Sequence, residues 1–251
     1  MKIGFLGATS GEVTGSAYHV CTDRAEVMID FGLFQGGRRA DAANRVKALR
    51  RAADLDAVLL THGHLDHCGR LPLLAKAGYR GPVLCTEATR EIAALILRDS
   101  AHVQEQDLNR TNRRRERAGQ EPLEPLYTAA DVEAILTQFR AVPYGERLTV
   151  APGIEARFVD AGHLIGSASI ELLVHESGRR RQVVFSGDLG RSNAPLMRDP
   201  EVFRKADVVV MESTYGDREH KPLDGTVAEF EAIVADAVAR HSKILVPTFA
   251  V

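Results

Sequence analysis

Four side chains that can bind metal ions lie within six residues of this chain: His62, His64, Asp66 and His67. They directly follow the apolar run Ala57–Leu60, which is typical of a buried strand. Side chains two residues apart in an extended loop point the same way, so His62 and His64 can share one ion. Asp66 and His67, at the start of the next helix, can turn toward a second ion. Imidazole and carboxylate suit zinc and related divalent ions. The alternative, a solvated polar loop, requires the four ligands to occur together by accident.

Two further segments supply candidate ligands at the ends of predicted strands. His163 stands between Gly162 and Gly166, and Asp188 follows the apolar run Val183–Phe185. Taken alone, such a histidine is usually a surface or core residue, and the Gly-Asp pair indicates a turn. Taken together with the first segment, they add a third histidine for one ion and a carboxylate that can bridge both. All these positions are at the carboxyl ends of strands, where open sheets tend to place their sites.

This ligand set predicts hydrolysis. Two ions about 4 Å apart can hold a hydroxide between them and bring its pKa near neutrality. The same ions stabilise negative charge that develops on an oxygen of the scissile group. Asp66 would bind one ion and help to orient the nucleophile. The residues indicate a two-metal hydrolase and do not name its substrate.

The elements that must position these residues are strands first, then alternating strands and helices. Apolar and alternating runs predict strands at 3–6, 16–20, 26–31, 57–60, 82–85, 154–160, 168–174, 182–186, 207–212 and 243–246. Helical patterns occur at 39–52, 71–77, 86–118, 128–138 and 226–240. The helix at 128–138 opens on a sequence typical of a capping box, Thr128 to Asp131.

The order of histidines and aspartates resembles the signature of the metallo-β-lactamase superfamily, H-x-H-x-D-H followed by a distant histidine and a distant aspartate. Asp30, in the segment Met28–Gly32, resembles the buried first-motif aspartate that supports the metal loop. The resemblance implies an α/β fold, the metallo-β-lactamase αββα sandwich, with two Zn²⁺ ions. The metal ligands that it implies are His62, His64 and His163 for one zinc, Asp66 and His67 for the other, and Asp188 as the bridge.

Three shorter motifs resemble one branch of that superfamily, the β-CASP nucleases. Gly162–Ala168 differs from the G-H-T-P-G common in small-molecule hydrolases of the glyoxalase II type and is similar to the β-CASP sequence. Met211–Gly216 resembles motif A of the group, with Glu212 as its acidic residue and a further catalytic candidate. Leu6–Ser16 resembles the group's opening. The resemblance implies a nuclease that acts on RNA.

The chain departs from the β-CASP pattern after motif A. That group carries two further histidines, in motifs B and C, and neither His220 nor His241 stands in such a context. We therefore expect residues 1–205 to form a metallo-β-lactamase domain without its C-terminal return elements. Residues 206–251 would be the beginning of a truncated β-CASP domain. The second zinc site would then lack one histidine, and His220 is a candidate for lining the substrate cleft.

Composition and charge exclude several other classes of protein. The 251 residues are 45% hydrophobic, a globular proportion, and no apolar stretch reaches the roughly 18 residues of a membrane span. Three cysteines without C-x-x-C spacing argue against a disulfide scaffold and are compatible with the cytoplasm. A net charge of −2 argues against polyanion binding through a wholly basic surface. A strand-like segment rather than a helix follows Gly4 and Gly7, which argues against a nucleotide cofactor.

An RNA substrate would need contacts beyond the metal ions. Arg113, Arg114 and Arg115 are candidates for phosphate contacts, and Tyr215 for stacking on a base; a solvated helix face and ordinary packing are the alternatives. We predict a cytoplasmic, zinc-dependent ribonuclease that cuts RNA by a two-metal hydroxide mechanism, with no membrane partner. A thioester or lactam hydrolase and an inactive RNA-binding or scaffold subunit remain as alternatives. The oligomeric state and the choice between endo- and exonuclease action stay open.

Overall fold

The structure is a computed structural model that describes residues 1–9, 11–45, 52–219 and 221–248. The chain divides into two compact units, Met1–Glu212 and Ser213–Val251. The first unit contains two β-sheets and their helices, and the described part of the second contains one long helix. The sequence-based boundary between residues 205 and 206 stays a prediction.

The first unit contains a six-stranded sheet and a five-stranded sheet. The strands of the six-stranded sheet are β1 (Lys2–Gly7), β2 (Ala17–Cys21), β3 (Glu26–Ile29), β4 (Ala57–Leu59), β5 (Val83–Cys85) and β6 (Phe139–Ala141). Those of the five-stranded sheet are β7 (Arg147–Ala151), β8 (Ile154–Asp160), β9 (Ala168–Glu176), β10 (Arg179–Phe185) and β11 (Val208–Val210). In both sheets each strand lies beside its neighbour in sequence.

The pairing of the strands decides which ends meet. Strands β3 to β6 are parallel, whereas β1, β2 and β3 pair antiparallel. In the second sheet, β7 to β10 are antiparallel and β11 is parallel to β10. The carboxyl ends of β3 and β4 therefore share one edge, and so do those of β8 and β10.

In the described part of the chain, five α-helices belong to the first unit and one to the second. They are α1 (Gly37–Asn44), α2 (Leu65–Cys68), α3 (Leu71–Lys76), α4 (Glu87–Arg117), α5 (Ala129–Leu136) and, in the second unit, α6 (Leu223–Ala239). Among the described residues, none of these helices is both long and apolar enough to cross a bilayer.

Two apolar clusters join the layers of the first unit. Because side chains alternate along a strand, Val58 of β4 faces the helices and Leu59 faces the second sheet. Val58 belongs to a cluster with Leu71 of α3 and Leu97 of α4, and Leu59 belongs to a cluster with Phe158 of β8. Helices, first sheet and second sheet thus form successive layers, which confirms the predicted α/β fold.

Helix capping explains why two predicted helices form where expected. The Thr86 side chain accepts a hydrogen bond from the Thr89 N–H and opens α4, close to the predicted range 86–118. Thr128 and Asp131 form the expected capping box at the start of α5. α5 packs against α3 and α4, and both helices add apolar side chains to the cluster on the helix side of the first sheet.

Other elements differ from the sequence prediction. The helix predicted at 39–52 corresponds to α1, which ends at Asn44. The side-chain amide of Asn44 donates to the Phe34 carbonyl at 2.8 Å. Residues 46–51 lie outside the described part. The predicted strand at 243–246 is wrong for the described residues, because their unit contains no strand with which it could pair. Strands β6 and β7 were not predicted from the sequence. β6 is only three residues long, and β7 has one buried residue, so neither shows a clear apolar run.

Candidate metal centre

The candidate ligands occupy loops at the carboxyl ends of four strands. Asp30 follows β3, and the histidine loop follows β4, with Asp66 and His67 on α2. His163 follows β8 and Asp188 follows β10. A hydrogen bond from the Ala168 N–H to the Thr61 carbonyl, at 2.8 Å, joins the two sheets here. The fold therefore brings residues that are far apart in sequence to one edge.

The first ligand group consists of His62, His64, His163 and Asp188, whose ligand atoms all lie within 4.8 Å of one another. His64 Nδ1 is 3.1 Å from His62 Nε2 and 3.2 Å from His163 Nε2. Asp188 Oδ2 is 3.6 Å from His62 Nε2 and 3.5 Å from His163 Nε2. A tetrahedral zinc ion with bonds of about 2.0 Å separates its ligand atoms by about 3.3 Å. The four atoms thus fit one such ion.

The second ligand group consists of Asp66, His67 and the other oxygen of Asp188. His67 Nε2 lies 3.1 Å from Asp188 Oδ1 and 3.9 Å from Asp66 Oδ2. The two oxygens of Asp188 therefore face different groups. This donor set, one imidazole and two carboxylates, also suits a divalent ion.

Asp30 is the buried support of the histidine loop. Its carboxylate is fully buried and accepts the Thr61 N–H at 2.7 Å, the Thr61 hydroxyl at 2.8 Å and the His67 Nδ1–H at 2.7 Å. Because Nδ1 of His67 donates to Asp30, Nε2 is the nitrogen that can bind a cation. Asp30 has a positive φ of 54°, which ends β3 and turns the side chain toward the loop. Asp30 thus lies where it can support the histidine loop, and the supporting role expected from the sequence stays a prediction.

The pKa values of the histidines follow from their surroundings. Burial lowers the pKa of His62 well below its usual value, and the neighbouring histidines lower it further. Burial also lowers the pKa of His64 and of His163. For His67, burial lowers the pKa, but Asp30 and Asp188 raise it, and the net direction is well above the usual value. The three histidines of the first ligand group are therefore neutral imidazoles, the form that binds metal ions.

Two glycines let the ligand loops approach each other closely. A Cβ on Gly32 would lie 1.5 Å from the Asp66 carbonyl oxygen, and a Cβ on Gly190 would lie 1.7 Å from that of Gly162. No other residue fits such spaces. The Gly32 contact places the Asp30 loop against α2, and the Gly190 contact places the Asp188 loop against the His163 loop.

Arg70 is a supporting residue that the sequence reasoning missed. It is 3% exposed, and its guanidinium lies over the rings of Phe31 and Phe34 at 4.3 and 4.4 Å. It donates to the carbonyl oxygens of Gly32 and Gly15. Burial lowers its pKa to about 10. The signal in the sequence would have been a lone arginine directly after the histidine loop.

Glu212 lies beside the loop that carries Asp188. Its carboxylate accepts the Leu189 N–H at 3.1 Å, and its own N–H donates to the Ser186 hydroxyl at 3.1 Å. These contacts fix the chain just before Asp188, at Ser186, and just after it, at Leu189. The structure thus gives Glu212 a place from which it can position a ligand, whereas its predicted role in catalysis stays a prediction.

Of the candidate substrate contacts, the three arginines of the first unit lie far from the metal centre. Thr89, near the start of α4, donates to the Gly166 carbonyl at 2.8 Å, whereas Arg113, Arg114 and Arg115 lie in the last turns of the same helix. With a rise of about 1.5 Å per residue, the arginines are about 36 Å further along α4. Tyr215 lies in the second unit with the guanidinium of Arg218 5.3 Å from its ring centre. His220 lies outside the described residues.

Comparisons with known proteins give a family and several relatives. The sequence profile described as Metallo-beta-lactamase superfamily matches residues 10–246. Ribonuclease TTHA0252 of Thermus thermophilus is 39% identical over 251 residues, which cover 100% of this chain and 52% of that protein. Transcription termination factor FttA of Methanocaldococcus jannaschii is 30% identical over 262 residues, covering 100% of this chain and 37% of that protein.

Among solved structures, a Cronobacter sakazakii metallo-β-lactamase with a HARLDQ motif is 20% identical and has a TM-score of 0.46. The alignment covers 77% of this chain and 58% of that one. The chain spans about half of the ribonuclease and a smaller part of the termination factor.

Proposed function

The chain belongs to the metallo-β-lactamase superfamily, as its histidine and aspartate motif indicated, and from this we propose that the protein is a zinc-dependent ribonuclease. RNA is the favoured substrate because a relative that is 39% identical over the length of this chain is named a ribonuclease. The resemblance of the segment around Glu212 to β-CASP motif A points in the same direction. The proposed reaction is hydrolysis of RNA phosphodiester bonds.

One observation carries the proposal: the two oxygens of a single carboxylate face two separate ligand groups. Asp188 Oδ2 lies 3.6 Å from His62 Nε2, and Asp188 Oδ1 lies 3.1 Å from His67 Nε2. A carboxylate in this position can bridge two cations, as two-ion hydrolysis requires. We propose Zn²⁺ in both positions, because neutral imidazole and carboxylate suit it. That the second zinc site lacks one histidine stays a prediction.

The chain's own residues prepare this site. When bound, two zinc ions supply Lewis acidity and bring the pKa of a water molecule near neutrality. Asp66, at the edge of the second ligand group, can orient that water and accept a hydrogen bond from it. Asp30 accepts the Nδ1–H of His67 and so leaves Nε2 as the nitrogen directed at the second group. The neutral histidines of the first group have no proton to lose before they bind.

The test combines metal analysis with RNA cleavage by the purified protein. At the candidate metal centre we expect about two zinc ions, and we expect RNA cleavage to fall at least about 100-fold in Asp66→Ala, because this variant removes a ligand of the second group. Asp99→Asn removes an exposed carboxylate on α4 and is the matched control, which should cut RNA as the unchanged protein does.

Three outcomes would change the conclusion. Absence of bound metal would refute the metal centre. Hydrolysis of a thioester or β-lactam without cleavage of RNA would assign the protein to the small-molecule hydrolases. Metal and RNA binding with no hydrolysis of any of these substrates would favour the inactive RNA-binding subunit.

We also propose a cytoplasmic location. None of the three cysteines, which all lie in the described residues, forms a disulfide. Cys68 and Cys85 are buried, and burial raises the pKa of Cys85 to about 12. Buried thiols that stay reduced fit a reducing compartment. Cell fractionation that found the protein in a secreted or envelope fraction would contradict this location.

A further inference from the structure

Three potential metal ligands outside the candidate metal centre lie together on β2 and β3. His19 and Cys21 are two residues apart on β2, so their side chains leave the same face of the sheet. Glu26 opens β3 and is the direct cross-strand partner of Cys21, which places it on that face too. All three residues are half-buried. An ion can therefore reach them from solvent.

The distances among these ligand atoms match those around a tetrahedral ion. His19 Nε2 lies 3.1 Å from Glu26 Oε2 and 3.4 Å from Cys21 Sγ. Zinc bonds of about 2.0 Å to nitrogen and oxygen and about 2.3 Å to sulfur give edges of about 3.3 Å and about 3.6 Å. One ligand atom from each of the three residues lies within 4.8 Å of the other two. The two separations from His19 Nε2 are thus within about 0.2 Å of the corresponding tetrahedral edges.

We propose that His19, Cys21 and Glu26 form a further zinc site, with water as the fourth ligand. Imidazole, thiolate and carboxylate are the three ligand types by which proteins bind zinc. The negative charges of the Cys21 thiolate and the Glu26 carboxylate balance the charge of the ion. The thiolate also favours zinc over magnesium and calcium, which prefer oxygen ligands.

This site is separate from the candidate metal centre. Glu26 begins β3, whereas Asp30 follows the end of that strand; four residues at about 3.3 Å each put about 13 Å between them. Cys21 and Glu26 flank the turn in which the Thr22 N–H donates to the Ala25 carbonyl at 2.9 Å. A zinc ion here would hold the turn end of the β2–β3 hairpin. Its role is structural, and it does not depend on the proposed ribonuclease function.

Cobalt(II) is the probe that can distinguish the two kinds of site. A cobalt–thiolate bond gives an intense charge-transfer band in the near ultraviolet, and nitrogen and oxygen ligands do not. Both ligand groups of the candidate metal centre contain only nitrogen and oxygen atoms. Of the other cysteines, Cys68 donates its S–H to the Gly63 carbonyl at 3.4 Å, and Cys85 is buried. The band would therefore report on Cys21.

The experiment titrates the metal-free protein and its variants with cobalt(II). We expect a thiolate band whose final intensity corresponds to one thiolate-bound ion per chain. The band should be absent from Cys21→Ser and retained by Cys85→Ala, the matched control. His19→Gln is a second variant, expected to weaken cobalt binding at this site at least 10-fold. RNA cleavage by Cys21→Ser should equal that of the unchanged protein. A titration with no thiolate band, or a band that persists in Cys21→Ser, would overturn the proposal.

Discussion

Replacing Asp30 with asparagine tests whether one buried carboxylate controls the metal affinity of the whole histidine loop. Asparagine has the same shape, and it tolerates the positive φ of 54° at this position. Its amide oxygen can still accept the Thr61 N–H, which lies 2.7 Å from Asp30 Oδ1. Its NH₂ group, however, replaces the oxygen that now accepts from the Thr61 hydroxyl and from His67 Nδ1. The substitution thus reverses hydrogen bonds without altering packing.

The expected effects can be worked out from these contacts. One charge-assisted hydrogen bond, from His67 to Asp30, changes direction, and a buried bond to a charged group contributes about 1.5–3 kcal/mol. We therefore expect the free energy of unfolding to fall by about 2–3 kcal/mol. To accept from the new NH₂, His67 must give up its Nδ1 proton and keep one on Nε2, the atom that faces Asp188 at 3.1 Å. Zinc affinity in the second ligand group should then fall by about 10–100-fold.

Isothermal titration with zinc measures the affinity, and urea unfolding of the metal-free protein measures the stability. Asp207→Asn is the matched control, because Asp207 also accepts a backbone N–H, from Gln182 at 2.7 Å, but lies away from the ligands. The control should bind zinc normally. If Asp30→Asn bound two zinc ions with the affinities of the unchanged protein, the argument from the His67 proton would be wrong.

Two further predictions concern packing and pH. Gly32→Ala puts a Cβ 1.5 Å from the Asp66 carbonyl, so we expect a loss of at least about 3 kcal/mol in urea unfolding. Gly225→Ala, where nothing lies within 4 Å, is the control, and equal losses in both variants would contradict the packing argument. In metal-free protein, the lowered pKa values of the first group's histidines mean that stability is lost as pH falls below 6.5, their unfolded value. The raised pKa of His67 gives stability that is present below 6.5 and lost as pH rises through its folded value. The urea concentration at the unfolding midpoint, measured in the presence of a chelator, should therefore be highest near pH 6.5. A flat profile from about pH 5 to about pH 8 would refute the assignment.

The grouping of the candidate ligands could be expected from the sequence because their spacing is local information, whereas their role as ligands stays a prediction. His62 and His64 are two residues apart on an extended loop, and Asp66 and His67 open the next helix, so chain geometry alone divides them between two groups. His163 and Asp188 were harder, because each has a plain explanation when taken alone. Their position after strands, together with the resemblance to a family motif, brought them into the set.

Residues whose importance comes from close tertiary approach could not be predicted. Nothing in the sequence around Gly32 shows that the Asp66 carbonyl will lie against it. Arg70 likewise reads as a surface cation, since its burial depends on two phenylalanine rings that fold over it. The arginines at 113–115 show the opposite difficulty, because their charge suggested a role that their position does not support. Charge alone does not reveal how far along α4 a residue will lie from the metal centre.

The distance in sequence between ligands in the first group makes the metal a candidate cross-link. His64 and His163 are 99 residues apart, and their facing nitrogens lie 3.2 Å from each other. His64 extends from the six-stranded sheet and His163 from the five-stranded sheet. A disulfide that closes a loop of this length is expected to stabilise a protein by about 4–5 kcal/mol through the entropy of the unfolded chain. An ion between the sheets would act differently, because it binds the folded chain and is released on unfolding. The metal content of a preparation would still decide how firmly the two layers are joined.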